Sequence, residues 1–321
     1  MCPTVSVIMP SYNHSKFIEE AIQSVLNQTF DDFELIIIDD SSSDNSQEII
    51  QKFAENDSRI KPIFHKKNKG IARTLNDGLR ASRGEFVSFI ASDDVWVPNK
   101  LEVQLEILTR NEDLVVWSEG EIIDGNGNPV GQTFTEMHNA INRKKSGWIL
   151  EELLKGNFIF GSSMILKRKN LGEIRFDENL KYLNDYKFVV DLARKYEYHF
   201  IKNPLAKYRI HGRNTILSDK KGWLLDTVRV NEYFLEQYGN RISRKLRATL
   251  YYKIASAYIQ LGNKKTAKQY LYKIFSTRPT SPYWGRLLVR LYTKEDSFTR
   301  KVLRKWYLSI KQNISRGGIK W

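Results

Sequence analysis

A chain of 321 residues, 41% hydrophobic and 12% aromatic, can bury one large core or two modest ones, which excludes a disordered chain. Its single cysteine, Cys2, excludes an internal disulfide and a cysteine zinc site and agrees with a reducing compartment. The net charge of +14 is unevenly spread: residues 1–220 hold 29 Lys and Arg against 32 Asp and Glu, whereas residues 221–321 hold 22 against 5, which points to two functional parts.

The start, MCPTVSVIMP, carries neither a basic leader nor a long apolar run, and nowhere do about 18 apolar residues follow one another, so a cytoplasmic chain without signal peptide or spanning helix is expected. The run TVSVIM (4–9) has strand length and no interior Gly or Pro. The segment Lys16–Thr29 then puts Phe17, Ile18, Ala21, Ile22, Val25 and Leu26 on one helical face. FELIII (33–38) predicts a second buried strand, Ile71, Leu75 and Leu79 a second helical face, and EFVSFI (85–90) a third strand. This alternation predicts a parallel sheet with helices on its faces. Ligands of such sheets bind beyond the carboxyl ends of the strands, where PSYNHS, DDSSSD and SDD follow the three runs. The adjacent acids Asp93 and Asp94 repel each other and suit either a solvated turn or a site where a cation or ligand relieves them; three convergent polar loops favour the site.

From about residue 216 the pattern is helical. Tyr251, Ile254, Ala255, Tyr258, Gly262, Ala267, Leu271, Ile274 and Pro279 have the spacing of one tetratricopeptide-like hairpin, too little for a solenoid and better suited to a packed two-helix cap. The segment 298–311 stripes Phe298, Val302, Leu303, Trp306, Tyr307 and Ile310 against basic residues, which fits an anionic membrane surface and docking on the protein equally well.

Taken together and in order, VSVIMPSYN, QTFDDFELIIIDDSSSD, NKGIARTLNDGL, RGEFVSFIASDDVWVPNKLE, YLNDYKFVVDLARK and YRIHGRN resemble the family 2 glycosyltransferases of the GT-A fold, over roughly residues 4–215. The resemblance implies an α/β GT-A domain over 1–215, a Rossmann-like, mostly parallel sheet flanked by helices, followed by an all-helical basic region over 216–321. It implies inverting, metal-dependent transfer of a sugar from a nucleotide-diphosphate donor, a UDP-sugar by preference. By the same resemblance Pro10, Tyr12, Asn13 and Asp40 line the base and ribose pocket, Arg73 and Asn76 reach or support the diphosphate region, and Asp93, Asp94 and His211 hold Mn2+ or Mg2+, Asp93 also meeting the nucleotide. A cation is what makes two acids compatible with a diphosphate leaving group. The sequence departs from the family at Ala91, where an Asp is frequent, and at Asn184, where a Glu is usual. Asp185 in LND matches the family's catalytic base, and an acid there also suits a helix N-terminus. Gly161 and Ser162 of GSSMILKR resemble the acceptor side.

The expected partners are a nucleotide-sugar donor, a glycan or lipid-linked glycan acceptor of surface polysaccharide synthesis, and, for the basic region, the inner face of the cell membrane. Two other classes remain: a nucleic-acid-binding protein using the basic, aromatic C-terminal region, and an inactive scaffold marked by Ala91. The first leaves the acid-ended cleft unexplained, and the presence of Asp93, Asp94 and Asp185 counts against the second.

Overall fold

Residues 2–211 and 219–292 are described by the structure, a computed structural model, and they fall into two compact units, Met1–Ser218 and Asp219–Trp321. The expected helix at 298–311 and the last residues of YRIHGRN lie outside the described residues.

In the first unit the strands are β1 (Val5–Ser11), β2 (Phe33–Asp39), β3 (Ile60–Phe64), β4 (Phe86–Phe89), β5 (Val95–Trp96), β6 (Val115–Ile123), β7 (Pro129–Thr133), β8 (Ile165–Lys167) and β9 (Tyr198–Arg209). The helices between them are α1 (Ile18–Leu26), α2 (Ser46–Asn56), α3 (Ile71–Ala81), α4 (Lys100–Arg110), α5 (Phe134–Met137), α6 (Leu150–Lys155) and α7 (Asn184–Ala193). They build one sheet in the order β3-β2-β1-β4-β8-β6-β9-β5, with β7 added to β6. β1 sits between β2 and β4 in parallel register, Val5 opposite both Phe33 and Phe86, and β6 and β9 form a second parallel ladder. β2 also pairs with β3 in parallel, and the other pairs, β4 with β8, β8 with β6, β6 with β7 and β9 with β5, are antiparallel, so the sheet is mixed.

The near-continuous apolar strands follow from cover on both faces. Ile18, Ala21, Ile22 and Val25 of α1 join Val5, Val7, Met9, Leu35 and Ile37 in one core. On α3, Ala72, Leu75 and Leu79 are buried while Ile71, expected on the apolar face, is 40% exposed because it opens the helix. Gly78 explains how closely α3 lies: a Cβ there would meet Ile8 Cγ2 at 2.5 Å. β3, whose Lys61 and Pro62 interrupt its apolar run, is a strand the periodicity does not signal.

The second unit is helical over its described residues: α8 (Lys220–Tyr238), α9 (Arg244–Gln260), α10 (Lys264–Thr277) and α11 (Pro282–Tyr292). Gly262, at φ +81°, turns α9 into α10, and Asn263 caps α10 by accepting from Thr266 N at 3.0 Å. Ala248, Ala255, Ile274 and Leu287 form one buried cluster, and Leu224, Val228, Ile254 and Ala257 another. No helix among the described residues is long and apolar enough to cross a membrane.

Candidate active site

The loops after β1 and β2 are stitched to each other at the carboxyl edge of the sheet. Buried Asp39 accepts from Ser42 N at 2.8 Å, Gln47 Nε2 at 2.8 Å and Ser11 Oγ at 3.2 Å. Asn13 N donates to Ser42 Oγ at 2.8 Å, and Asn13 Oδ1 accepts from Ser43 N at 2.8 Å. Asn13 and Ser41 have φ of +56° and +65°, a region Asn tolerates better than Ser, and such strain persists only where surrounding contacts impose it. Pro10 lies in β1 opposite Ile38, and Tyr12 beyond it is 48% exposed. Asp40 is buried against the loop that follows β3: it pairs with His65 Nδ1 at 2.7 Å and accepts from Lys69 N and Gly70 N, both at 2.8 Å.

After β4, the turn through Asp93 and Asp94 treats its two acids differently. Asp93 Oδ2 is 3.0 Å from His211 Nε2, just past the end of β9. His14, in the loop between β1 and α1, joins them: its Nδ1 is 2.8 Å from Ser92 Oγ, and ligand atoms of His14, Asp93 and His211 all lie within 4.8 Å of one another. Phe17 packs against the His211 ring at 4.6 Å. Two imidazoles and one carboxylate form a donor set that fits a first-row divalent cation. Asp94, expected beside Asp93 as a ligand, stands outside this group. It is 2% exposed, accepts from Ser162 Oγ and, at 3.1 Å, from Arg209 N; burial first, and then the neighbouring Asp93, push its carboxyl well above the usual carboxylate range.

Arg209 is the buried cation of this region. Its Nε donates to Asp93 O at 2.8 Å, its Nη2 to Glu20 Oε2 at 2.6 Å and its Nη1 to Asp124 O at 3.3 Å, so one side chain ties the acidic turn to α1 and to the end of β6. At Ala91, where the family frequently has an Asp, the backbone N donates to Ser162 Oγ at 3.0 Å. Ser162, expected to leave room for an acceptor sugar, therefore bridges Ala91 and Asp94.

Asp185 lies in the first turn of α7. One side of it is open to solvent, but crowding by the surrounding protein pushes its carboxyl up to about 6, against the opposing pull of hydrogen bonds from backbone N–H groups and from Asn157 Nδ2 at 3.3 Å. Asn184 is buried and donates to Leu180 O and Lys181 O, a scaffold contact. Tyr208 links the two acidic regions: burial raises its phenol, and so in turn do the negative charges of Asp94, Asp93 and Asp185.

Arg73 and Asn76, expected near the diphosphate, are occupied elsewhere. Asn76 Nδ2 donates to Phe176 O at 2.9 Å and Glu178 Oε1 at 3.1 Å, its Oδ1 accepts from Phe176 N at 3.0 Å, and Arg73 pairs with Glu178 at 3.0 Å. They fasten the 176–178 loop to α3. A groove of about 910 Å³ beside β3 and α3, lined by Phe64, Lys66, Lys67, Lys69 and Arg80, contains none of Asp93, His211 and Asp185. His14, Ser162 in its bridging role and Arg209 are the groups that sequence reasoning missed, although each stood in a segment already singled out: His14 in PSYNHS, Ser162 in GSSMILKR and Arg209 in YRIHGRN.

The family model described as Glycosyl transferase family 2 matches residues 6–173. An uncharacterized glycosyltransferase of Methanocaldococcus jannaschii is 32% identical over 220 residues, 67% of this chain and 74% of the relative. TuaG of Bacillus subtilis, a glycosyltransferase named for teichuronic acid biosynthesis, is 30% identical over 219 residues, 68% and 83% of the two chains. The chain spans 35% of the length of a Rickettsia felis glycosyltransferase to which it is 33% identical over 213 residues. Among solved structures, S. aureus TarS in complex with UDP-GlcNAc superposes with a TM-score of 0.64 at 18% identity, covering 99% of this chain and 93% of that one. A Pyrobaculum calidifontis mannosyltransferase in complex with GDP-Man and Mn2+ does so with a TM-score of 0.56 at 18% identity, covering 97% and 88%. At these identities the structural likeness carries the fold alone: an α/β GT-A sheet with helices beyond it.

Proposed function

The chain belongs to glycosyl transferase family 2, and from that membership we propose that it moves a sugar, with inversion, from a nucleotide-diphosphate donor to a hydroxyl of a glycan or lipid-linked glycan in surface polysaccharide synthesis. A UDP-sugar is the first donor to test, supported by the UDP-GlcNAc complex of TarS, and teichuronic acid biosynthesis in the name of TuaG supports a surface-polymer acceptor. The observation that carries this reading is the meeting of Asp93 and His211 at 3.0 Å beyond the ends of β4 and β9.

In the proposal, Pro10, Tyr12, Asn13 and Asp40 line the base and ribose pocket. Exposed Tyr12 offers a stacking face, and Asp40, oriented by three partners, keeps acceptor capacity for a base N–H. Arg73 and Asn76 act by fixing the loop beside the donor, and Asp94 stiffens the turn that presents Asp93. Asp93 and His211 would hold Mn2+ or Mg2+. When bound, the ion supplies positive charge to the departing diphosphate. Asp185 takes the proton of the acceptor hydroxyl as that oxygen attacks the anomeric carbon. A carboxyl with its pKa at about 6 is a stronger base than an ordinary aspartate and is still ionised at neutral pH. Residues 1–215 thus form the transfer domain, and the basic region 216–321 attaches peripherally to an anionic membrane surface.

Calorimetric titration of UDP, GDP and dTDP with and without Mn2+ tests the donor site. Metal-dependent binding of one nucleotide, lost in Asp93→Ala, is expected, and no binding under any condition would return the scaffold and nucleic-acid alternatives. Sedimentation with anionic liposomes at low and high salt tests the basic region: salt-sensitive binding is expected, and equal partition with neutral liposomes removes the membrane role.

A further inference from the structure

Three chain segments far apart in sequence supply the cluster at the acidic turn: the loop between β1 and α1 supplies His14, the turn after β4 Asp93, and the chain two residues past the end of β9 His211. The resemblance accounts for Asp93 and His211. It gives His14 no role, yet His14 is held as firmly as they are. Its backbone N donates to Ser46 Oγ at 3.1 Å, its carbonyl accepts from Phe17 N and Ile18 N at 2.9 Å, and its ring is set by Ser92 at 2.8 Å and lies edge-on to the His211 ring at 5.7 Å. A second contact that fixes the ring is what ligating histidines characteristically have.

We propose that His14 is a third protein ligand to the divalent ion, so that the site binds a Mn2+-class transition ion ahead of the nucleotide and prefers it to Mg2+. The inference rests on the reading that an ion is held by Asp93 and His211. Mg2+ gives up its waters reluctantly and favours all-oxygen octahedra completed by substrate phosphates, so a site with one carboxylate and two imidazoles offers it little. First-row transition ions accept imidazole nitrogen more readily than Mg2+ does, Mn2+ being the weakest of the row and the later ions stronger. Three preorganised protein donors also lessen dependence on the diphosphate oxygens, which then complete the coordination instead of creating it.

The test is Mn2+ binding to the intact protein without nucleotide, followed by electron paramagnetic resonance, with Mg2+ as competitor and spin-echo modulation to count directly bound imidazole nitrogens. Expected are nucleotide-free binding that excess Mg2+ does not displace, two coordinated nitrogens, and in His14→Ala one nitrogen with affinity lower by about tenfold or more. His14→Asn, which retains a polar partner for Ser92, should lose the same nitrogen; thermal melts of both variants without metal establish that they fold. One coordinated nitrogen in the unmodified protein, or unchanged Mn2+ affinity in both variants with binding still lost in Asp93→Asn, overturns the His14 assignment and leaves the Asp93–His211 reading standing. Nucleotide binding indifferent to every metal, with no Mn2+ bound in any protein, removes both.

Discussion

The two halves of the first unit's sheet treat acids in opposite ways. At the ends of β1 and β2, carboxylates are surrounded by donors: Asp44 would be raised by its burial, but hydrogen bonds from Ser46 and Ser15 outweigh that and lower it. On the side of β6, β8 and β9, Asp94 and Asp185 are crowded more than they are solvated by hydrogen bonds, and burial pushes Asp94 well up and Asp185 up to about 6, whereas Asp124 in the turn after β6 is lowered by hydrogen bonds from Asn128 and Asn126. In the proposed function the first half provides the fixed rim for a nucleotide, with Asp39 held by Ser42, Gln47 and Ser11. The other provides, in Asp185, an acid whose proton can move near neutral pH, which the proposed base needs and a binding rim does not.

The sharpest way to break this contrast is Asp185→Asn. Transfer should fall by about 100- to 10,000-fold while calorimetric donor affinity stays within error, and a fully active variant would strip Asp185 of the base role. Next in size, Asp93→Asn should abolish the metal-dependent part of nucleotide binding and leave the thermal melt little changed, because the isosteric amide still fills the largely buried place beside His211. The pH profile comes third. The base works only when ionised, so transfer should be level above about pH 7 and fall about tenfold per unit below about pH 6, where Asp185 takes up its proton. A rate unchanged down to about pH 5 would separate Asp185 from the chemistry. Ser162→Ala removes the hydroxyl joining Ala91 N to Asp94, with an expected loss of about 1–3 kcal/mol in denaturant titration. The smallest effect belongs to Arg73→Ala: the half-exposed pair with Glu178 is worth under about 1 kcal/mol, so any large drop in donor affinity would show direct contact with the nucleotide.

The contrast also runs through what could be read before folding. β1, β2, β4 and α1 are local features, apolar runs and one helical stripe, and their parallel pairing follows from alternation; β3 was not legible because Lys61 and Pro62 break its run and only its place beside β2 makes it a strand. The acids proposed for the donor side were legible as polar ends of those strands. Asp185 was legible by resemblance alone, its neighbours in sequence being equally consistent with a helix start.

What the sequence by itself determined is the succession β1, α1, β2, α3 and β4, the polar loops that end its three strands and the basic character of the last hundred or so residues, since each is a property of neighbours along the chain. Only the tertiary structure decided which groups share a site. His14 and His211 come together across 197 positions of the numbering because β1 and β9 end near the same turn, and Arg209 reaches Asp93, Glu20 and Asp124 because its guanidinium is buried among segments that no local pattern connects. Ligand sets, buried ion pairs and raised carboxyls depend on distance and on loss of water, and both are fixed only when the sheet has closed.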